Sequence, residues 1–314
     1  MLARTVENMY WLARYVERAE NMARMISATT NVLLDLPGAS AHRWAPMIAI
    51  TGSEAEFERR GLDADERSVV QFLIADPGNP GSIVASLRAA RENARTLREV
   101  IPAAVWEQLN HFYHEVNDEV AVGLPQRNRF NLLKRIVVNS QALTGAFDGT
   151  ASRNDAWAFL LLGRNLERAD MTSRILDVRS AELKRASAAE EDPYELIQWM
   201  SVLKSLSGYQ MYRLARRTRV ARADVLDFLL RDGQFPRSCA FCLREMTHVL
   251  GELPRADEVL NSLVAAAQFI AGADLAAVDQ PALQRLLDEL QLHIKAVHEG
   301  IAATYFPSAP SVAT

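Results

Sequence analysis

Apolar residues recur every three to four positions along most of the chain, and the two-residue alternation of a half-buried strand is nearly absent. A first long helix is predicted from about Ala3 to Leu36, where Leu36-Pro-Gly stops it. A short, less regular stretch runs to Gly61, followed by a helix around Asp65 to Ala75. Asp76-Pro-Gly-Asn-Pro-Gly is the strongest breaker in the sequence. Ser82 is placed to cap a helix lying between Ser82 and Ile101, and Pro102 suits the first turn of the next, through about Val120. Gly123-Leu-Pro ends that element, and a further helix covers about Gln126 to Phe147. Asp148-Gly-Thr-Ala-Ser-Arg-Asn reads as a loop, and Ser152 with Asp155 three residues on forms a capping-box-like start for a helix to about Ala188. From Pro193 onward the predicted helices run roughly Tyr194 to Thr218, Ala223 to Leu230, Pro236 to Leu250, Pro254 to Ala271 and Pro281 to Tyr305. The expected fold is all-α: one helical bundle of about ten helices over residues 1–307, with a disordered tail at 308–314.

Within this pattern one stretch occurs twice. Trp11-Leu-Ala-Arg-Tyr-Val-Glu-Arg-Ala-Glu-Asn-Met-Ala-Arg24 returns 150 residues later as Leu161-Leu-Gly-Arg-Asn-Leu-Glu-Arg-Ala-Asp-Met-Thr-Ser-Arg174. Five charged positions stay in register: Arg14 with Arg164, Glu17 with Glu167, Arg18 with Arg168, Glu20 with Asp170, Arg24 with Arg174. On a helix, positions 14, 17, 18 and 21 share one face, and so do 164, 167, 168 and 171. Each copy therefore carries an ionic stripe beside its apolar stripe, and the bundle is expected to be internally pseudo-duplicated. A third helix follows this phase less faithfully. Its charged face reads Arg88, Arg91, Glu92, Arg95 and Arg98, net positive, beside an apolar face of Ile83, Val84, Leu87, Ala90, Ala94 and Leu97.

Composition narrows the function classes. Over 314 residues, 49% hydrophobic and 24% charged content are globular values, and no linker parts two independent domains. The net charge of −4 gives no bulk electrostatic argument for nucleic acid or a membrane surface. No apolar run reaches the length of a membrane span, and the first fourteen residues already hold Arg4, Glu7 and Arg14, unlike a signal peptide. A cytoplasmic location is expected. Lysine occurs only at 134, 184, 204 and 295, so 31 of the 35 basic residues are arginines. Genomic base bias accounts for that, as does a need for planar forks that pair with carboxylate or phosphate.

Three smaller constellations carry less. Cys239-Ala-Phe-Cys242 is a lone Cys-x-x-Cys with no second pair to complete a zinc site and no preceding strand to make it thioredoxin-like, so two small buried residues are expected. His111, Glu115, Asp118 and Glu119 have metal-like content but no Glu-x-x-His partner motif, and read as a polar helix face. In Phe235-Pro-Arg-Ser238 the proline suits helix initiation, with an anion at the free amides as the sharper reading. Trp11, Trp106, Trp157 and Trp199 recur near the starts of separate helices, as core anchors would. No metal or cofactor is expected.

Taken together, Tyr10-Trp-Leu-Ala-Arg-Tyr-Val-Glu-Arg-Ala-Glu-Asn-Met-Ala-Arg24, Ser86-Leu-Arg-Ala-Ala-Arg-Glu-Asn-Ala-Arg95, Gly163-Arg-Asn-Leu-Glu-Arg-Ala-Asp170 and Phe235-Pro-Arg-Ser238 resemble the signatures of the alpha-E family, all-helical bacterial proteins with a duplicated Glu-Arg motif. The resemblance covers nearly the whole chain. It implies partnership with a circularly permuted ATP-grasp protein, and with a transglutaminase-like protein, in an ATP-dependent peptide or amide ligation system. No catalytic residue travels with it. The surface it marks as functional, for an anion or a partner, is Arg14, Glu17, Arg18, Arg88, Arg91, Glu92, Asn93, Arg95, Arg164, Glu167 and Arg168.

For the Glu-Arg repeats three readings stand open: a solvated face of weak ion pairs, a seam in which each Glu bridges arginines of both helices, or a site where Arg14, Arg18, Arg164 and Arg168 grip an anion. Paired-carboxylate catalysis by Glu17 and Glu167 is disfavoured, because flanking arginines keep both ionised. At the level of the whole protein, an accessory component of a ligation system stands against an enzyme acting on a carboxylate or acyl phosphate in the same cleft. A structural homo-oligomer is the third alternative.

Overall fold

The computed structural model describes residues 3–35, 44–183 and 193–306, and among them every regular element is a helix. They run α1 (Ala3–Asp35), α2 (Ala45–Thr51), α3 (Glu54–Arg59), α4 (Glu66–Ile74), α5 (Ile83–Thr96), α6 (Ala103–Gly123), α7 (Gln126–Thr150), α8 (Asp155–Leu183), α9 (Pro193–Ser205), α10 (Tyr209–Arg216), α11 (Arg222–Arg231), α12 (Cys239–Gly251), α13 (Asp257–Gly272) and α14 (Gln280–Tyr305). None is long and apolar enough to cross a membrane.

The two repeat helices are the axis. α1 packs against α5, α7, α8 and α9, while α8 packs against α1, α12 and α14. Leu12, Ala19, Met22, Ala23 and Ile26 of α1 and Leu162, Leu166, Ala169, Ile175 and Leu176 of α8 are buried in one contiguous core. The alanines let the axes approach, and the tightest point is Gly163. A Cβ there would sit 2.2 Å from the carbonyl oxygen of Tyr10, so only glycine allows this crossing.

Several local expectations hold. The Ser82 hydroxyl accepts from the Ala85 amide at 3.1 Å, capping α5. Pro102 immediately precedes α6. Other expectations need correction. Among the described residues fourteen helices replace about ten, because the irregular stretch before Gly61 contains α2 and α3, and the helix expected over Tyr194 to Thr218 breaks into α9 and α10. At that break Ser207 takes a positive φ of 56°, and a Cβ on Gly208 would press on Phe235 at 3.0 Å. α7 continues to Thr150, into the segment read as a loop. The cap of α8 is Asn154, whose side chain accepts from the amides of Ala156 and Trp157, rather than Ser152. Of the four tryptophans, only Trp199 is fully buried. Trp11, Trp106 and Trp157 lie half-exposed beneath the guanidinium groups of Arg14, of Arg91 and Arg98, and of Arg153. The Leu36-Pro-Gly stop and the tail at 308–314 lie outside the described residues.

Candidate functional site

At the α1–α8 crossing the two repeats face each other, and each glutamate reaches across to the opposite helix. Glu167 accepts hydrogen bonds from Arg14 Nε at 2.7 Å, Arg18 Nε at 2.6 Å and Arg18 Nη2 at 3.0 Å. On the other side, Arg168 Nε lies 3.0 Å from Glu17 Oε2. Both carboxylates are sealed, Glu17 at 3% and Glu167 at 2% exposure. Burial alone would raise their pKa values. For Glu167 the charges of Arg18 and Arg14 overcome it, and for Glu17 those of Arg168 and Arg237, so that both sit near 2. The solvated-face reading therefore fails, and the glutamates belong to a buried seam.

The two halves of the seam are not equivalent. By the repeat, Arg164 should do for Glu17 what Arg14 does for Glu167. Instead Arg237 takes that place: its Nη1 lies 2.7 Å from Glu17 Oε1, its Nη2 donates to Glu20 at 2.9 Å, and it also reaches Asn21. Arg237 precedes α12, and its backbone carbonyl is pinned by the Thr172 hydroxyl at 2.8 Å. Glu20 also receives Arg24 at 2.8 Å. α12 starts at Cys239 with Ser238 as its cap, so Pro236 lies ahead of the helix rather than in its first turn, and neither reading of Phe235-Pro-Arg-Ser238 places Arg237 in the seam.

Displaced from Glu17, Arg164 has no hydrogen bond or ion pair among the described residues, and its Nε is buried without an acceptor. Burial lowers its pKa, and the like charge of Arg168 adds to that against the opposing pull of Glu17 and Asp148. It borders a recess of about 20 Å³ between α1, α7 and α8, with Glu17, Thr144 and Phe147 on the walls, room for about one water-sized group. The geometry at Glu17 is also loose: Oε1, facing Arg237 Nη1, and Arg168 Nε, facing Oε2, are each within ion-pair distance but not aligned as hydrogen bonds. One half of the seam is thus fully bonded and the other is not.

The third arginine helix does not join this cluster. α5 meets α1 through its apolar face, including the buried Ala90 and Ala94. Its charged residues turn to α6 and the surface. Arg91 donates to Asn110 at 2.8 Å and lies over Tyr113 and Trp106, Arg95 pairs with Glu92 at 2.9 Å, Arg88 reaches the carbonyl of Pro77, and Asn93 is half-buried. The remaining constellations behave as parts of the frame. Cys239 and Cys242 are free and buried, and burial pushes the Cys242 thiol up to about 12. Glu115 and Glu119 are taken by Asn139 and Arg135, and His111 points largely to solvent.

Among the described residues the fold is all-helical, and its two longest helices bury facing Glu-Arg repeats between them. The chain is a member of the Alpha-E family, which is described as a predicted alpha-helical domain with a conserved ER motif and matches residues 1–306. Similar proteins include an uncharacterized protein of Mycobacterium bovis, 23% identical over 269 residues, and one of Mycobacterium tuberculosis, 22% identical over the same length. In both cases the match takes in 80% of this chain but only 30% of the relative, so the chain spans about a third of the length of the curated relatives it matches. No solved structure matches.

Proposed function

We propose that this chain is a binding component of an ATP-grasp-dependent peptide ligation system, and that it holds an anionic group of its substrate or partner at Arg164. The observation that carries the reading is the imbalance of the seam. Five arginines (14, 18, 24, 168 and 237) pair with three carboxylates (Glu17, Glu20 and Glu167), and Arg164 is left over with a buried, acceptor-less Nε at a recess. A buried donor without a partner calls for an explanation, and a carboxylate or phosphate oxygen from outside supplies one. The relatives lend support, because there an Alpha-E-like region forms part of a much longer polypeptide, as suits a component that works beside other domains. The partner is a circularly permuted ATP-grasp protein, with a transglutaminase-like protein as a second. The work takes place in the cytoplasm, where free thiols such as Cys239 and Cys242 persist.

The rival reading, an enzyme acting on a carboxylate or acyl phosphate in the cleft, has the electrostatics against it. Carboxyls held near pKa 2 are ionised at neutral pH and cannot serve as general acids.

The test is Arg164→Ala in two assays: calorimetric titration with phosphate and acetate, and co-purification with the ATP-grasp partner. The variant should fold normally and lose anion binding and co-purification together. Retention of both overturns the reading, as does turnover by the purified chain without ATP.

A further inference from the structure

α10 (Tyr209–Arg216) packs on α9 and α11, and Tyr212 is its one buried residue. On its outer face Met211 and Leu214, one helical turn apart, are 45% and 68% exposed. Single exposed apolar residues are ordinary, but these two form a ridge, and the charge around the ridge is unmatched.

Residues 196–223 hold six cations, Lys204 and arginines 213, 216, 217, 219 and 222, and no acid; in a chain of net charge −4 the rest therefore carries −10. Arg216 is matched by Asp227, and Arg222 donates to the Val278 carbonyl at 2.8 Å. Arg213, Arg217 and Arg219 are exposed, and their guanidinium groups have no ion pair or hydrogen bond among the described residues. The next acid along the chain, Asp224, accepts from the Thr218 hydroxyl. Position 217 adds a second observation. It ends α10 in the left-handed conformation at φ 54°, where glycine is the usual residue because a Cβ is strained there. No ion pair inside the described chain offsets that strain, and an anion docked from outside would.

The extent of the face decides what docks. Its helical part is ~12 Å long. A nucleic-acid duplex or an anionic bilayer reaches well beyond it, past the ~8 Å screening length of physiological salt, and meets the negative remainder of the protein. A short acidic helix covers the face and little else, and its apolar stripe gives the Met211–Leu214 ridge a partner. We infer that the outer face of α10 docks an acidic amphipathic helix of a partner protein, with the apolar stripe on Met211 and Leu214 and the carboxylates on Arg213, Arg217 and Arg219. The inference rests on this face alone and is independent of the anion site at Arg164.

The probe is a fluorescein-labelled peptide of about twenty residues, long enough to be helical, with leucines on one helical face and glutamates on the others. Fluorescence anisotropy with the full chain should show saturable binding that weakens as salt rises. Controls with glutamine for every glutamate, or alanine for every leucine, should bind at least about tenfold more weakly. Arg213, Leu214 and Arg217 are exposed, so Arg213→Ala, Leu214→Ser and Arg217→Gly should fold. Each should weaken the peptide by about threefold or more. Arg217→Gly should at the same time raise the melting temperature, because glycine relieves the left-handed backbone. Arg164→Ala should leave peptide binding unchanged. No saturable binding at ~0.1 mM peptide, equal binding by the two controls, or full binding by all three face variants overturns the inference. So does a lower melting temperature for Arg217→Gly, which would show that Arg217 serves the fold. Tighter binding of a 20-nucleotide duplex or of phosphatidylglycerol vesicles, lost in Arg213→Ala, would assign the face to that polyanion instead. Self-association of the chain abolished by Arg213→Ala would put a second copy there and overturn the separate partner.

Discussion

Glu167→Gln is the cleanest probe of the seam. The side chain keeps its shape and one carbonyl acceptor but loses its charge, and an amide nitrogen then faces guanidinium donors. The cost follows from two routes. The folded state depresses the Glu167 carboxyl from 4.5 to about 2, worth about 3 kcal/mol at 1.36 kcal/mol per unit. Breaking a buried, hydrogen-bonded ion pair by removing one partner costs about 3–5 kcal/mol in general, because a buried charge is left alone. Here two arginines lose their anion, one of them, Arg14, only 8% exposed. For 314 residues, about 3 kcal/mol lowers Tm by about 5 °C. The sign of the pH dependence is fixed. Because the folded pKa is the lower one, the stabilisation is complete above pH 4.5 and is lost as pH falls toward 2. Melting followed by circular dichroism at neutral pH and at pH 3 should therefore show a large gap between variant and wild type that narrows in acid. Equal melting temperatures at neutral pH, or a gap that does not change with pH, would refute the account of a charge-sealed seam.

Gly163→Ala should cost at least about 3 kcal/mol, since the new Cβ meets a backbone carbonyl rather than a side chain that can swing away, and a denaturant midpoint within error of wild type would show that the crossing can relax. Arg237→Ala should destabilise by about 3 kcal/mol, because Glu17 and Glu20 lose a shared cation while buried, whereas Arg164→Ala should leave urea unfolding unchanged. Cys239 and Cys242 should resist a thiol reagent at neutral pH until urea unfolds the chain, and rapid labelling of the native protein would contradict their burial.

The long helices and their pseudo-duplication were legible because α1 and α8 keep a 3.6-residue period over many turns. Individual starts were legible where one side chain makes the cap, as at Ser82. The cap of α8 was misread because Ser152 and Asn154 are both good capping residues two positions apart, and only the backbone path decides between them. The α9–α10 break was missed because the positive φ falls on Ser207 rather than on a glycine, and the Phe235 ring that leaves no room for a Cβ at Gly208 lies 27 residues further along the chain. For the site, periodicity showed which residues share a stripe but not which neighbour the stripe faces. α1 and α8 turn their charges inward, while α5 turns alanines to α1 and its arginines to Trp106 and Tyr113. Arg237 left only its place in Phe235-Pro-Arg-Ser238 as a signal, since a residue just ahead of a helix has no periodicity to give its direction.

The two halves of the repeat differ in how their glutamates are paired, and the proposed anion site rests on that difference. A perfect two-fold repeat would pair Arg14 and Arg18 with Glu167, and Arg164 and Arg168 with Glu17, closing both halves alike. Arg237 enters from outside the repeat, anchored by Thr172 on α8, and satisfies Glu17 together with Glu20. The folded state then keeps its buried carboxylates paired without calling on Arg164. An arginine that folding requires is not free to bind a ligand, because its charge is already matched. One that the frame has made redundant can answer an incoming anion without loosening the core. On this argument Arg237 is the residue that converts half of a structural seam into a place where something else can bind. The double variant Arg237→Ala/Arg164→Ala should then be less stable than Arg237→Ala alone, because with Arg237 gone Arg164 is the nearest replacement for it at Glu17. Strictly additive unfolding free energies for the two substitutions would show that the arginines do not exchange roles.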